Sequence, residues 1–160
     1  MYNNQNNIKT PATFLKTLTI IYAALLIGQL LFVIVVFSIT NSTVINLQPS
    51  GDVFFYLVPI FTIGCGLLGA FLYKQQIAKL MDNSLLAEKL AAYQTAFILR
   101  CAPTEGASLF GIVIYMNTGN LFYLIIAGFN ILYFILMRPT KDKLKEALNL
   151  TYEEEIAMEG

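Results

Sequence analysis

One acidic side chain stands where a charge is expensive. Glu105 falls within residues 95–116, a stretch otherwise rich in apolar and small side chains. An ionisable group held in hydrocarbon costs about 2.5–3.5 kcal/mol on insertion scales, so its chemistry needs an explanation. Two kinds are open to it. Glu105 can carry a proton or a cation, protonated when closed off from water and ionised when water or a cation reaches it. Alternatively it stays neutral and hydrogen-bonds to its neighbours, fixing helix register at about 0.6–2 kcal/mol per bond. At about 1.5 Å per residue, Glu105 lies roughly 15 Å deep, and Gln29, Thr62 and Asn130 lie at similar depth on three other apolar stretches. Glu105, Asn130, Gln29 and Thr62 are therefore the candidate ion-binding layer. Arg100 is its candidate tuning charge. It sits about a turn nearer one end of the stretch, from which it can snorkel to the interface or reach Glu105 across the break expected at Pro103.

The elements that must position these residues are apolar helices. Of the 160 residues, 57% are hydrophobic and only 12% charged, and residues 17–51 and 106–137 contain no charge at all. A soluble domain of this length could not cover such runs. A bilayer core about 30 Å thick needs roughly 20 apolar residues per helix, and four windows qualify: 17–39, 53–73, 95–116 and the shorter 121–137. The expected fold is all-α, one membrane domain over 1–160: a four-transmembrane-helix bundle with both termini, the connector 74–94 and the tail 138–160 in the cytoplasm. That orientation follows from the basic residues, since Lys9, Lys16, Lys74, Lys79, Lys89, Arg100, Arg138, Lys141, Lys143 and Lys145 all fall on one side of the topology. The membrane is expected to be the cell's inner membrane.

From Ser84 the residues Leu86, Leu90, Tyr93 and Phe97 recur at three and four, which predicts a long third helix that starts in the cytoplasm and continues into the membrane. After Pro139, Leu144, Ala147 and Leu148 share a face flanked by lysines, which predicts a short amphipathic helix on the headgroups. Glu153, Glu154, Glu155 and Glu159 read as a solvated acidic tail.

Several chemistries are excluded. With no histidine, His-based acid–base catalysis and His-ligated metals are ruled out, and two isolated cysteines, Cys65 and Cys101, are too few for a structural zinc. No phosphate loop, dinucleotide fingerprint or nucleophile elbow is present. Ten acids balance ten bases, so nucleic acid is not an expected partner. No cofactor or metal is expected, and the chain does not read as an enzyme.

Small residues cluster beside the carboxylate. Gly64, Gly66 and Gly69 on the second stretch, and Gly106 and Gly111 on the third, are the expected helix-packing positions, where two backbones approach closely. Gly64-Cys65-Gly66 followed by a connector and then Glu105-Gly106-Ala107-Ser108-Leu109-Phe110-Gly111 resembles the hairpin of the proteolipid c subunits of rotary ATPases, over residues 53–116. In that family a Gly-rich helix packs on a helix bearing the ion-binding carboxylate, so the resemblance implies that Glu105 is a proton carrier. The chain departs from the pattern in its long charged connector, in Arg100 and Pro103, and in its additional first and last spans.

Two functional readings follow. In one, a small integral membrane subunit or carrier handles protons or cations through Glu105. In the other, a non-catalytic scaffold or assembly subunit uses Glu105 and its polar neighbours structurally. Either way the expected partners are the lipid bilayer and further membrane chains, as a homo-oligomer or within a larger complex.

Overall fold

The computed structural model describes residues 11–41, 43–48, 51–80 and 85–157; Lys9, Ser84, Glu159 and the connector residues 81–84 lie outside the described residues. Among the described residues the regular structure is entirely helical: α1 (Pro11–Ile39), α2 (Phe54–Ile77), α3 (Leu86–Thr118), α4 (Leu121–Leu136), α5 (Lys141–Leu148) and α6 (Tyr152–Ala157). Three of them, α1, α2 and α3, are long and apolar enough to cross a membrane. At 16 residues, or about 24 Å, α4 is shorter than a hydrocarbon core, and it bends by 75° into α5.

Helix and apolar window do not coincide. Backbone hydrogen bonding continues beyond the apolar windows, so α2 runs on through Lys74 to Ile77 and α1 begins at Pro11, six residues before the expected span. The third helix has 33 residues, about 50 Å, and starts within two residues of its expected origin. Its first turn is capped by Glu88, whose carboxylate accepts the Leu85 N–H at 3.2 Å. Contrary to expectation, Pro103 does not break it. The ring removes a single ladder bond, and packing on both sides of the site holds one continuous helix.

The turn between α3 and α4 is built from two residues. Gly119 ends α3 at φ 66°, a conformation a side chain would strain, and Asn120 caps α4 by accepting the Phe122 N–H at 3.2 Å. The same Asn120 side chain pairs with the backbone of Asn46, at 3.1 and 2.9 Å, while Val44 exchanges backbone bonds with Gly119 and Leu121. The loop after α1 is thereby fastened to the α3–α4 turn.

Two apolar clusters form the interior. One joins Leu18 and Tyr22 of α1, Tyr93, Phe97 and Cys101 of α3, and Phe134 of α4. The other joins Val36, Val58, Ile112, Tyr115, Tyr123 and Ala127. Between them lies a layer of buried polar side chains. Outside, α1 and α2 expose large apolar side chains along their length, among them Ile20, Ile34, Ile60 and Leu67, which is the surface a helix presents to lipid.

The C-terminal segment departs from expectation at α5 and at Glu154; the side chains of Glu153 and Glu155, and all of Glu159, lie outside the described residues. Leu144 and Leu148 of α5 are buried against the first cluster, because α4 turns sharply at Pro139 and lays α5 back on α3. Glu154 is paired as well. Its carboxylate accepts from Lys89 Nζ at 2.9 and 3.0 Å and from the Thr151 amide at 2.9 Å.

Candidate functional site

The polar layer is assembled from α1, α3 and α4, and its centre is Asn130. This amide donates to the Thr104 carbonyl at 2.6 Å and to Ser108 Oγ at 2.8 Å, and Ser108 Oγ in turn donates to the Thr104 carbonyl at 3.3 Å. Thr104 and Ser108 are four residues apart, one turn of α3, so both face α4. A single amide thus bridges two helices through one carbonyl and one hydroxyl. Gln29 of α1 is fully buried; its Nε2 donates to the Leu25 carbonyl at 3.4 Å, and its Oε1 has no partner among the described residues. The Thr62 hydroxyl of α2 is likewise buried without a described partner.

Glu105 is not the centre of this layer. It is half-buried, and no described residue hydrogen-bonds or pairs with its carboxylate. The physical reason is angular. Successive residues on a helix are about 100° apart, so when Thr104 faces α4 its neighbour Glu105 turns away from it. Depth along the chain fixes the level of a side chain but not its direction. The expected bonds from Glu105 to Asn130 or Gln29 are therefore absent, and Asn130 instead bonds to Thr104 and Ser108.

Arg100 is also directed elsewhere. Five residues from Glu105 on an unbroken helix, it points roughly 140° away, so the pair that a break at Pro103 would have allowed does not form. Its guanidinium lies over the Tyr73 ring, 5.2 Å from the centroid, and Nη2 donates to Tyr133 Oη at 3.5 Å.

The expected helix-packing glycines divide. At Gly69 a Cβ would stand 2.8 Å from the Arg100 carbonyl, and at Gly111 one would stand 3.2 Å from the Ala127 Cβ, so both are true points of close approach, between α2 and α3 and between α3 and α4. Gly64, Gly66 and Gly106 are corrected: a Cβ at any of them meets nothing within 4 Å. Gly64 and Gly106 are exposed and Gly66 is half-buried. Since the chains run antiparallel with Gly69 opposite Arg100, Gly64 falls at the level of Glu105, as expected. The carboxyl does not, however, lie in a closed slot.

Two tethers went unrecognised in the sequence. Tyr22 of α1 donates its hydroxyl to the carbonyls of Phe134 and Ile135, at 3.3 and 3.1 Å, and stacks on the Phe134 ring. At the opposite end, the Tyr123 hydroxyl of α4 donates to Asp52, whose other oxygen accepts the Phe54 N–H at the start of α2. Tyrosines inside apolar helices were a usable signal, because a buried phenol requires an acceptor. Cys65 and Cys101 are both free thiols. No protein-family model, curated protein or solved structure matches the chain.

Proposed function

We propose that this chain is a four-span integral membrane protein of the inner membrane, with both termini cytoplasmic, acting as a non-catalytic assembly subunit. Its internal polar layer holds its own helices in register, and its Glu105 side receives another membrane helix. The observation that carries this reading is the Asn130 amide, which bridges Thr104 and Ser108 inside the α3–α4 contact and takes no part around Glu105. A cation site would need oxygen ligands beside the carboxylate, and the Asn130 amide is committed to Thr104 and Ser108 instead. The bend between α4 and α5 supports a fourth span that reaches the interface and turns along it.

Glu105 then has a different task. On a half-open face beside Gly64 and Gly106, where no side chain intervenes, its carboxyl is accessible to a hydrogen-bond donor on a neighbouring helix. The neighbour is a second copy of this chain or a further subunit. A photo-crosslinking residue at Gly106, in native membranes, tests this. Protein adducts are expected, self-adducts for a homo-oligomer and hetero-adducts for a complex; labelling of lipid alone contradicts the reading.

The carrier reading rests on one feature, a Glu105 within the α3 span that no described residue pairs. Glu105→Gln separates the two. It deletes titration while keeping size, so proton or cation flux through liposomes containing the chain disappears if Glu105 is a carrier. Under the assembly reading no such flux exists in the unsubstituted protein, and partner binding survives the change.

A further inference from the structure

Most of the hydrogen-bonding capacity of Arg100 is uncommitted among the described residues. A guanidinium has five N–H donors in a planar fork. One reaches Tyr133 at 3.5 Å, the outer limit for a hydrogen bond, while Nε is buried with no described partner. Arg100 lines a cavity of about 430 Å³ bounded by α2, α3, the end of α4 and α5. Lys143 lines the same cavity from α5; its ammonium donates to the Leu136 and Arg138 carbonyls at 2.8 and 3.2 Å, which leaves one N–H uncommitted among the described residues. Tyr73 and Tyr93 supply aromatic wall, and Glu146, an exposed side chain, is the one carboxylate on the lining.

We propose that this cavity binds a phosphate oxyanion, Arg100 grasping it through its fork and Lys143 adding a second charge, and that the phosphate belongs to the headgroup of an anionic membrane lipid. Phosphate suits the arrangement because its oxygens match the spacing of guanidinium donors, and two cations outweigh the single carboxylate. The lipid source follows from position. The cavity sits where α4 bends by 75° into α5, at the end of the apolar helices, and Leu136 on its rim is 73% exposed and able to meet an acyl chain. A basic pocket between helix ends at that level is suited to an anionic headgroup. Arg100 and Glu105 leave α3 in different directions, and the binding test does not depend on what docks beside Glu105.

Purified full-length chain in detergent micelles, titrated with dioctanoyl phosphatidylglycerol, dioctanoyl phosphatidylcholine or inorganic phosphate while its thermal midpoint is followed, tests the assignment. Phosphatidylglycerol is expected to raise the midpoint saturably, and phosphatidylcholine far less. Arg100→Lys should weaken the phosphatidylglycerol affinity about tenfold, since the two-point grip is lost. Should that variant not fold, the exposed Lys143 and Glu146 carry the decision: Lys143→Gln weakens binding and Glu146→Gln tightens it. Lys141→Gln removes the same charge from the same helix outside the cavity and is expected to leave affinity unchanged. Equal protection by the two lipids, or an equal loss in Lys141→Gln and Lys143→Gln, overturns the site in favour of diffuse attraction to α5. Protection by inorganic phosphate at the same concentrations supports the oxyanion site but overturns the lipid source.

Discussion

Asn130 and Glu105 lie at one level of the bundle, but only Asn130 is expected to matter for stability. Asn130→Leu removes both bonds to α3 and leaves the Thr104 carbonyl without its interhelical donor, so unfolding in bicelles should lose about 1–2 kcal/mol. The glycines give a second contrast. Gly69→Ala drives a Cβ to 2.8 Å from the Arg100 carbonyl, a backbone atom that cannot yield, and a loss of about 1–3 kcal/mol is expected. Gly64→Ala meets nothing and should be neutral or stabilising by up to about 1 kcal/mol, because alanine favours the helix. Thermal or denaturant midpoints of the two variants check the pair. The level of these residues was legible from their position along each apolar run. Their direction was not, because α3 could be rotated about its axis until packing fixed it, and a rotation of one residue's worth exchanges Thr104 for Glu105.

Among the elements, α6 is held to α3 by a nearly enclosed ion pair. The Lys89 side chain is 6% exposed and that of Glu154 18%, so replacing Glu154 by Gln leaves a buried ammonium without its counter-charge. A loss near the lower end of the roughly 3–5 kcal/mol found for broken buried pairs is expected, and adding Lys89→Met should recover most of it. The pH dependence has a definite sign. Burial pulls the Glu154 carboxyl upward, but the Thr151 amide and the Lys89 ammonium outweigh it and hold it below the ordinary glutamate range. The pair therefore stabilises the docked tail in full above the ordinary value of about 4.3, and the stabilisation is lost as pH falls through the lower, folded value. Since the chain has no tryptophan, Tyr152→Trp gives a single fluorescent reporter, expected to be constant from pH 7 to 5 and to change only in stronger acid. The helices themselves were legible, because charge-free runs and three-to-four spacing are local properties. This pairing was not, since Lys89 and Glu154 are 65 residues apart and each alone reads as a solvated charge. The same holds for α5, whose apolar face fits a headgroup surface or a protein surface equally well until the bend at Pro139 chooses.

For the molecule as a whole, the loop–turn clasp at Val44 and Asn120 and the charge-rich α5–α6 end lie at opposite ends of the bundle. With four spans they are on opposite sides of the membrane. Single cysteines at Asn46 and Lys141, in a background with Cys65 and Cys101 replaced, should react with an impermeant thiol reagent from opposite faces of intact vesicles. Reaction of both from one face would contradict four spans. The central claim is that Asn130 belongs to the internal frame of the bundle while Glu105 faces outward, and one comparison reaches it directly: the unfolding free energies, in bicelles, of purified monomer carrying Asn130→Leu or Glu105→Gln. Loss in the first and no loss in the second is the expected result. An equal loss in both would place Glu105 inside the frame and contradict the assignment.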